Sequence, residues 1–438
     1  MPERCVLRRL PALRRLLPLR RLVGFLLLPA MAGCAAPLQQ WKGNLHTHSV
    51  WSDGTDYPEM IVDWYRTNGY HFLSLTEHDL LAEGERWLDI NAPDDGWPPR
   101  NRSARRALPG YRERFGSDQV REHRAGDRHL VRLSPLAEYR QLFEQPGRFL
   151  LLEGEEITDR EGAHVNAFNL STAILPRGGA SAGERIRNNL AAVEAQRVAT
   201  GRPIIAIVNH PNFVWALTAE DLAAIPNVRI FEVFNGHMLV NSEGDAEHAG
   251  TERIWDVALS LRHAAGLPPI FAAATDDAHD YREYGDSISR PGRGWIMVRA
   301  PQLTSVALAE SLLAGEFYAS TGVTIRREHR DQRRIRIEIE PASGAAYRTL
   351  FIGTRVSTPL AGTPVLDAAG DTVRTTRIHD AGMGAVLAEV EGTVAEYVFR
   401  GDERYVRAKV VSSRSHVDPT TGKVLGRQTA WLQPVFRR

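Results

Sequence analysis

From Trp41 to about Thr324 short apolar runs alternate with amphipathic stretches. The runs cover 71–75, 149–152, 164–170, 203–208, 228–234 and 269–274 and are rich in Ile, Val, Leu and Phe. Unbroken apolar runs of this length are predicted to be buried parallel strands, since a strand covered on both faces needs no polar side. Helices are predicted over 58–67 with Gly69 after it, over 183–199 closed by Gly201, and over 246–265 closed by Gly266. Pro near a start and Gly past an end are the expected punctuation. Thr218-Ala219-Glu220-Asp221 resembles a capping box. Repeated strand–helix units point to the α/β class, as a barrel or a doubly wound sheet.

Two regions break the rhythm. Residues 82–148 are rich in Arg, Pro and Gly and read as an insertion expected to cover one side of the site. After Thr324 the period changes to two. Residues 334–340 and 405–410 alternate strictly, as half-buried strands do, and Asp418-Pro419-Thr420-Thr421-Gly422 reads as a turn. Residues 330–438 are therefore expected to form a small antiparallel β-domain. His379 and His416 within it have no regular partners and read as solvated.

Composition changes this picture little: 438 residues, 43% hydrophobic and 24% charged, is ordinary for globular chains. Charge is more informative. Residues 1–33 carry seven Arg and one Glu, so the rest is mildly acidic despite a formal net charge of +1. No stable nucleic-acid partner is expected, because such binding needs a basic surface. Arg pairs followed by the apolar stretch 22–32 read as a signal peptide over 1–33. Met31-Ala32-Gly33-Cys34 resembles a bacterial lipobox. The expectation is an exported, periplasmic protein whose only membrane contact is a lipid on Cys34, joined by a tether over 34–40. The alternative is a plain secretory signal and a soluble exported protein. Cys5 and Cys34 are the only cysteines, so no disulfide framework or zinc ribbon is available and metal binding must use nitrogen and oxygen.

Nine such side chains recur, nearly all at the ends of apolar runs: His46, His48, Asp53, His78, Glu156, His164, His210, Asp277 and His279. Nine exceed what one ion takes. In His46-Thr47-His48 the two-residue spacing turns both imidazoles the same way on an extended segment. All but His164, which opens its run, fall where a strand gives way to a loop, the usual place for catalytic groups in α/β barrels. Glu232 and Asn235 read as packing groups or as hydrogen-bond partners of a ligand. Glu153 and Glu155 read as outer or surface carboxylates.

His46-x-His48, Thr76-Glu77-His78-Asp79, Gly154-Glu155-Glu156-Ile157-Thr158, Asn209-His210-Pro211 and Asp277-Ala278-His279 resemble, in order, the motifs of the PHP (polymerase and histidinol phosphatase) family. The resemblance implies a distorted (β/α)7 TIM-like barrel over 41–329 and two or three divalent ions, Zn, Mn or Fe. It implies His46, His48, Glu156 and Asp277 on one ion. Glu156 would bridge to a second held by His164 and His210, and Asp53, His78 and His279 would hold a third. The expected enzyme is a metal-dependent phosphoesterase acting on small phosphorylated compounds such as nucleotides or sugar phosphates. A water activated by the ions would be the nucleophile, with His48 or His279 protonating the leaving oxygen. Arg290, Arg293 and His237 are candidate substrate contacts; for the arginines, pairing with surface carboxylates is an equal alternative. Two other functions stay open: a phosphodiesterase or exonuclease on short oligonucleotides, with Trp41, Trp51 or Trp64 as stacking platforms, and a catalytically silent metal-binding lipoprotein that recognises a partner.

Overall fold

Each apolar run forms a strand, but several are broken by a kink. In the computed structural model, which describes residues 38–94, 99–281 and 289–437, run 71–75 gives strand Phe72–Leu73, and a separate strand, Thr76–His78, follows it. The run at 149–152 likewise gives Leu150–Leu151, followed by Gly154–Thr158. The first piece of each pair lies in one sheet and the second in another. Gly154 stands at one such break, where a Cβ would meet Ala167 O at 2.8 Å. The signal segment, Cys34 and the first part of the tether lie outside the described residues. Gln39 and Gln40, expected in the tether, instead begin the strand Gln39–Asn44, paired with Ala300 and Arg299.

The first sheet runs Leu150–Leu151, Phe72–Leu73, Gln39–Asn44, Trp295–Ala300, Phe317–Ser320 and onward into C-terminal strands. The second orders Thr76–His78, Gly154–Thr158, His164–Phe168, Ile205–Val208, Ile230–Asn235 and Phe271–Thr275. The protein is thus mixed α/β, with the apolar runs divided between these two sheets. Trp41, Leu45, Phe72, Phe168, Ile207 and Phe271 belong to one buried apolar cluster contributed by both sheets. Helices Ala182–Thr200 and Thr251–Ala264 pack Ile186, Leu190, Trp255 and Leu259 into another.

The run at 164–170 was expected to be parallel to its neighbours, and it is not. His164–Phe168 pairs antiparallel with both Gly154–Thr158 and Ile205–Val208. Its reversal places its first residue, His164, level with the carboxyl ends of those strands. This explains why the one candidate ligand that opens a strand still faces the same edge as the rest.

Helix Pro58–Thr67 matches its expected bounds, with Pro at its start and Glu59 and Arg66 suited to the two ends of its dipole. Gly201, at φ 67°, ends helix Ala182–Thr200 in the left-handed conformation that glycine adopts without a Cβ penalty. Thr218 and Asp221 form the expected capping box. The helix expected from 246 starts later, at Thr251. The Asp245 carboxylate accepts from the backbone N–H of Glu247 and His248 and holds that stretch as a turn.

The insertion carries its own three-stranded sheet, Arg86–Asp89, Arg128–Leu133 and Glu122–Ala125, and helices Arg100–Phe115 and Leu136–Phe143. It packs on the 49–57 loop, where Trp51 donates to Ser134 O and Tyr57 to Ala104 O. Among the described residues, none of 82–148 lines the candidate cavity.

The C-terminal strands are antiparallel. Tyr347–Arg355, Glu403–Val417 and Val424–Leu432 continue the first sheet through the pairs Tyr318–Leu432 and Ala319–Trp431. His379 and His416 are buried, not solvated. His379 Nε2 lies 2.8 Å from Glu220 Oε1, and His416 packs edge-on to Phe234, its pKa pushed down to about 4 chiefly by burial.

Candidate metal centre

Strand Gln39–Asn44 delivers His46 and His48 to the carboxyl edge. Asn44 Oδ1 accepts from His46 N at 3.0 Å, and His48 N donates to Ala278 O at 2.9 Å, which fixes the segment between two neighbouring loops. Both rings are fully buried. His46 Nε2 lies 3.2 Å from Asp277 Oδ1 and 3.4 Å from Glu156 Oε1. His48 Nε2 lies 3.4 Å from Asp277 Oδ1 and 3.4 Å from Glu156 Oε2.

Glu156 is the hub. Its Oε1 is 3.1 Å from His164 Nδ1 and 3.3 Å from His210 Nε2, and its Oε2 is 3.1 Å from His78 Nδ1. Asn209 Nδ2 donates to Oε1 at 2.8 Å and orients the carboxylate. Asp53 joins on the other side, its Oδ2 3.3 Å from His78 Nε2 and its Oδ1 3.4 Å from His279 Nε2. All nine candidate residues therefore meet. They fall into four groups that could each hold an ion: His48, Asp53, His78 and His279; His46, His48 and Glu156; His46, His210 and Asp277; Glu156, His164 and His210.

The donors suit a cation. His46 Nε2 and both ring nitrogens of His48 are buried without a hydrogen-bond partner. A buried polar atom left unpaired costs about 1–3 kcal/mol, and a lone pair aimed at an ion removes that cost. Burial opposes ionisation of Glu156, yet His46, His164 and His78 hold it well below the usual carboxylate range. Asp277 is held low against burial by His46 and His48, and Asp53 by His279 and His78. Burial, with His279 and His78 beside it, pushes His48 down to about 3. Burial also opposes protonation of His46, but Asp277, Glu232 and Glu156 raise it well above the ordinary histidine value. Protons and divalent ions thus compete for the same lone pairs.

Glu232 meets His46 from behind, its Oε1 2.7 Å from His46 Nδ1, and its Oε2 accepts from His210 N at 2.7 Å. A carboxylate there fixes the ring and makes it a stronger donor. Glu232→Gln is expected to weaken metal retention about 10–100-fold while the fold persists, read by chelator competition; retention equal to the parent chain would remove Glu232 from this role. Asn235 Nδ2 donates to Asp277 Oδ2 at 3.1 Å.

Several expectations need correction. His48 is fully buried and is not among the residues lining the cavity. Arg290 and Arg293 do not line the cavity either. Arg293 Nε donates to Asp418 Oδ2 at 2.8 Å and Nη1 to Gly236 O at 2.6 Å, a buried pairing with the turn at 418–422. Asp276, next to Asp277, accepts from Tyr65 Oη and from the N–H groups of Gly292, Arg293 and Gly294; it ties a loop rather than joining a ligand group. Glu155 is buried and accepts from Ile174 N, so it is not a surface group. Trp41 and Trp51 are buried and are not open stacking platforms, while Trp64 is half-buried, edge-on to Tyr65 and away from the candidate cavity.

A cavity of about 320 Å³ opens onto the centre. Asp53, His78, Glu156, His164, His210, Asp277 and His279 line it, with His237, Thr158, Phe213, Leu239 and Asp280. His237 Nδ1 accepts from Leu239 N at 3.2 Å, which leaves the ring proton on Nε2. Sequence reasoning passed over Glu77, whose carboxylate accepts from the N–H of Ser49 and Ser52 and both their hydroxyls and so shapes the loop that presents Asp53. Its place beside His78 was the available signal. Nothing local marked Phe213 or Leu239.

No family model matches the chain, and no curated protein does. Among solved structures it is similar to a two-domain protein from Bacteroides vulgatus containing a predicted PHP-like metal-dependent phosphoesterase. The identity is 15% and the TM-score 0.36, over 90% of this chain and 95% of that one. It is also similar to a proposed metal-dependent phosphoesterase from Bifidobacterium adolescentis, at 14% identity and TM-score 0.25, over 57% of this chain and 92% of that one. Likeness this distant carries no weight for the chemistry, which rests on the side chains themselves.

Proposed function

We propose that this chain is a metal-dependent phosphoesterase that hydrolyses small phosphate esters. The observation that carries this reading is the convergence of nine His, Asp and Glu side chains, with Glu156 as their hub and buried imidazole nitrogens left unpaired. Glu156 would join the ion held by His46, His48 and Asp277 to the one held by His164 and His210, and Asp53, His78 and His279 would hold a third. We read the two sheets as the distorted barrel that the sequence motifs imply. Divalent ions, when bound, supply positive charge for phosphate oxygens and lower the pKa of a nearby water.

The remaining groups act around that chemistry. Glu232, Asn209 and Asn235 hold the ligands in register, so little rearrangement is needed when substrate enters. His237, which belongs to none of the ligand groups, donates from Nε2 into the cavity, within reach of a substrate oxygen. His279 lines the same cavity; burial opposes its protonation, but Asp53 lifts it to about 9.

The test is metal analysis of the purified chain with a phosphate-release screen over mononucleotides, sugar phosphates and bis-aryl phosphates. Two or three divalent ions per chain and turnover of at least one class are expected. A folded chain that retains no divalent ion, or that retains ions and releases nothing from any ester, overturns the proposal.

A further inference from the structure

One wall of the cavity is apolar and built from two loops, with the Phe213 ring beside those of His164 and His210 at 6.0 and 5.1 Å. Phe213 comes from the segment after strand Ile205–Val208, and Leu239 from the segment after Ile230–Asn235. Leu239 is 60% exposed, and its chain neighbour Met238 and Phe213's neighbour Val214 are exposed at 44% and 61%. Large apolar side chains left open at the mouth of a site mark a surface that a ligand covers.

These loops are held in place. Asn212 Nδ2 donates to Asn241 O at 2.8 Å and to Ala249 O at 3.0 Å, tying one loop to the other. The Trp215 ring stacks on His248 at 4.0 Å and 7°. Val214 and Trp215 sit at φ 46° and 56°. A β-branched residue in that region is a true outlier, kept only where the surroundings over-determine it. Both side chains are thus presented on a rigid rim and cannot collapse inward to bury themselves.

The charge around the cavity points the same way. Among the described residues lining it there is no Lys or Arg, while Asp280 and the ligand carboxylates are acidic. A second phosphate, as in a nucleoside diphosphate, would meet no Lys or Arg among those described residues once the first is engaged at the centre.

Resting on the phosphoesterase reading, we infer that the substrate is a phosphate ester of an apolar alcohol, alkyl or aryl, whose hydrocarbon lies on Phe213 and Leu239. The phosphate faces the ligand cluster, and the ester oxygen lies near His237. Each buried methylene contributes about 0.8 kcal/mol, about fourfold in affinity, so chain length is a direct readout.

The experiment uses the full chain loaded with Mn²⁺. Binding of ethylphosphonate and hexylphosphonate, which are not hydrolysed, is measured by calorimetry. Turnover is measured on ethyl and hexyl phosphates, whose leaving alcohols are of similar acidity. Hexylphosphonate is expected to bind at least about tenfold tighter than ethylphosphonate, with a matching preference in kcat/KM. Leu239→Ser is expected to bring the hexyl-to-ethyl ratio close to one, whereas Leu175→Ser, at an exposed leucine outside the cavity, leaves the ratio as in the parent chain. Equal binding of the two phosphonates overturns the inference, whatever the turnover. A ratio untouched by Leu239→Ser also overturns it. Chain-length-dependent binding without hydrolysis of any ester overturns the phosphoesterase reading and leaves the apolar site standing.

Discussion

Glu156→Gln is expected to leave a folded protein that loses the two ions Glu156 would share and that turns over phosphate esters about a thousandfold more slowly, or not at all. The substitution conserves shape and removes one negative charge. That charge lies within 3.4 Å of nitrogens from His46, His48, His78, His164 and His210. No other carboxylate in the centre meets so many imidazoles, and Glu156 alone is assigned to two ions, so no other single loss should cost as much metal. Asp277→Ala and His46→Ala act on a subset of the same groups and should abolish turnover while one ion remains. The size follows from what correctly placed charge supplies at a reacting phosphate, about 10²–10³ from a single stabilising group and more where metal is lost outright. Metal content by mass spectrometry and phosphate release together check it. The fold should survive, because a buried charge costs desolvation free energy that the Gln variant no longer spends. Normal metal content with normal turnover in Glu156→Gln would dismantle the site.

The second large effect lies far from the centre. Asp256→Ala is expected to destabilise the fold by about 3–5 kcal/mol, the usual cost of stranding a buried charge, and to lower Tm by on the order of 5 °C. Asp256 is on helix Thr251–Ala264 and Arg407 on strand Glu403–Val417. Arg407 Nε and Nη2 donate to the two Asp256 oxygens at 2.7 and 2.8 Å, with the guanidinium 4.6 Å from the Trp255 ring and only 1% exposed. Tyr405 Oη adds a third bond to Oδ1 at 2.8 Å. The pair ties a helix of the α/β region to a strand of the C-terminal region. Removing Arg407 as well, in Asp256→Ala/Arg407→Met, should recover part of the loss, since no charge is then left without a partner. Thermal denaturation of the single and double variants decides this; a double variant no better than the single one means that packing, not charge, holds the junction.

Much of the site was legible before any coordinates, and for a definite reason. Metal ligation accepts few side-chain types, so a chain without usable cysteines leaves its His, Asp and Glu at strand ends as the only donors. His46 and His48 could be paired from spacing alone, because alternate residues of an extended segment face one way. Helix Pro58–Thr67 and the Thr218 cap were equally plain, since both depend on residues within four positions of one another. What Arg293 and His48 meet was not legible, because each turns on a distant partner or on access. Arg293 is taken by Asp418, 125 residues away, and His48 is sealed beneath stacked His78 and His279 rings.

What the sequence determined by itself is therefore the kind of chemistry: which donors exist, which helices form, and where the period changes from buried runs to strict alternation. Those follow from side-chain identity and from interactions between near neighbours. Only the tertiary structure decided that strand His164–Phe168 runs backwards, that His379 and His416 are buried, and that Phe213 and Leu239 line one cavity. Strand direction, burial and contact are set by free energies summed over residues far apart in the chain, and no local pattern encodes that sum.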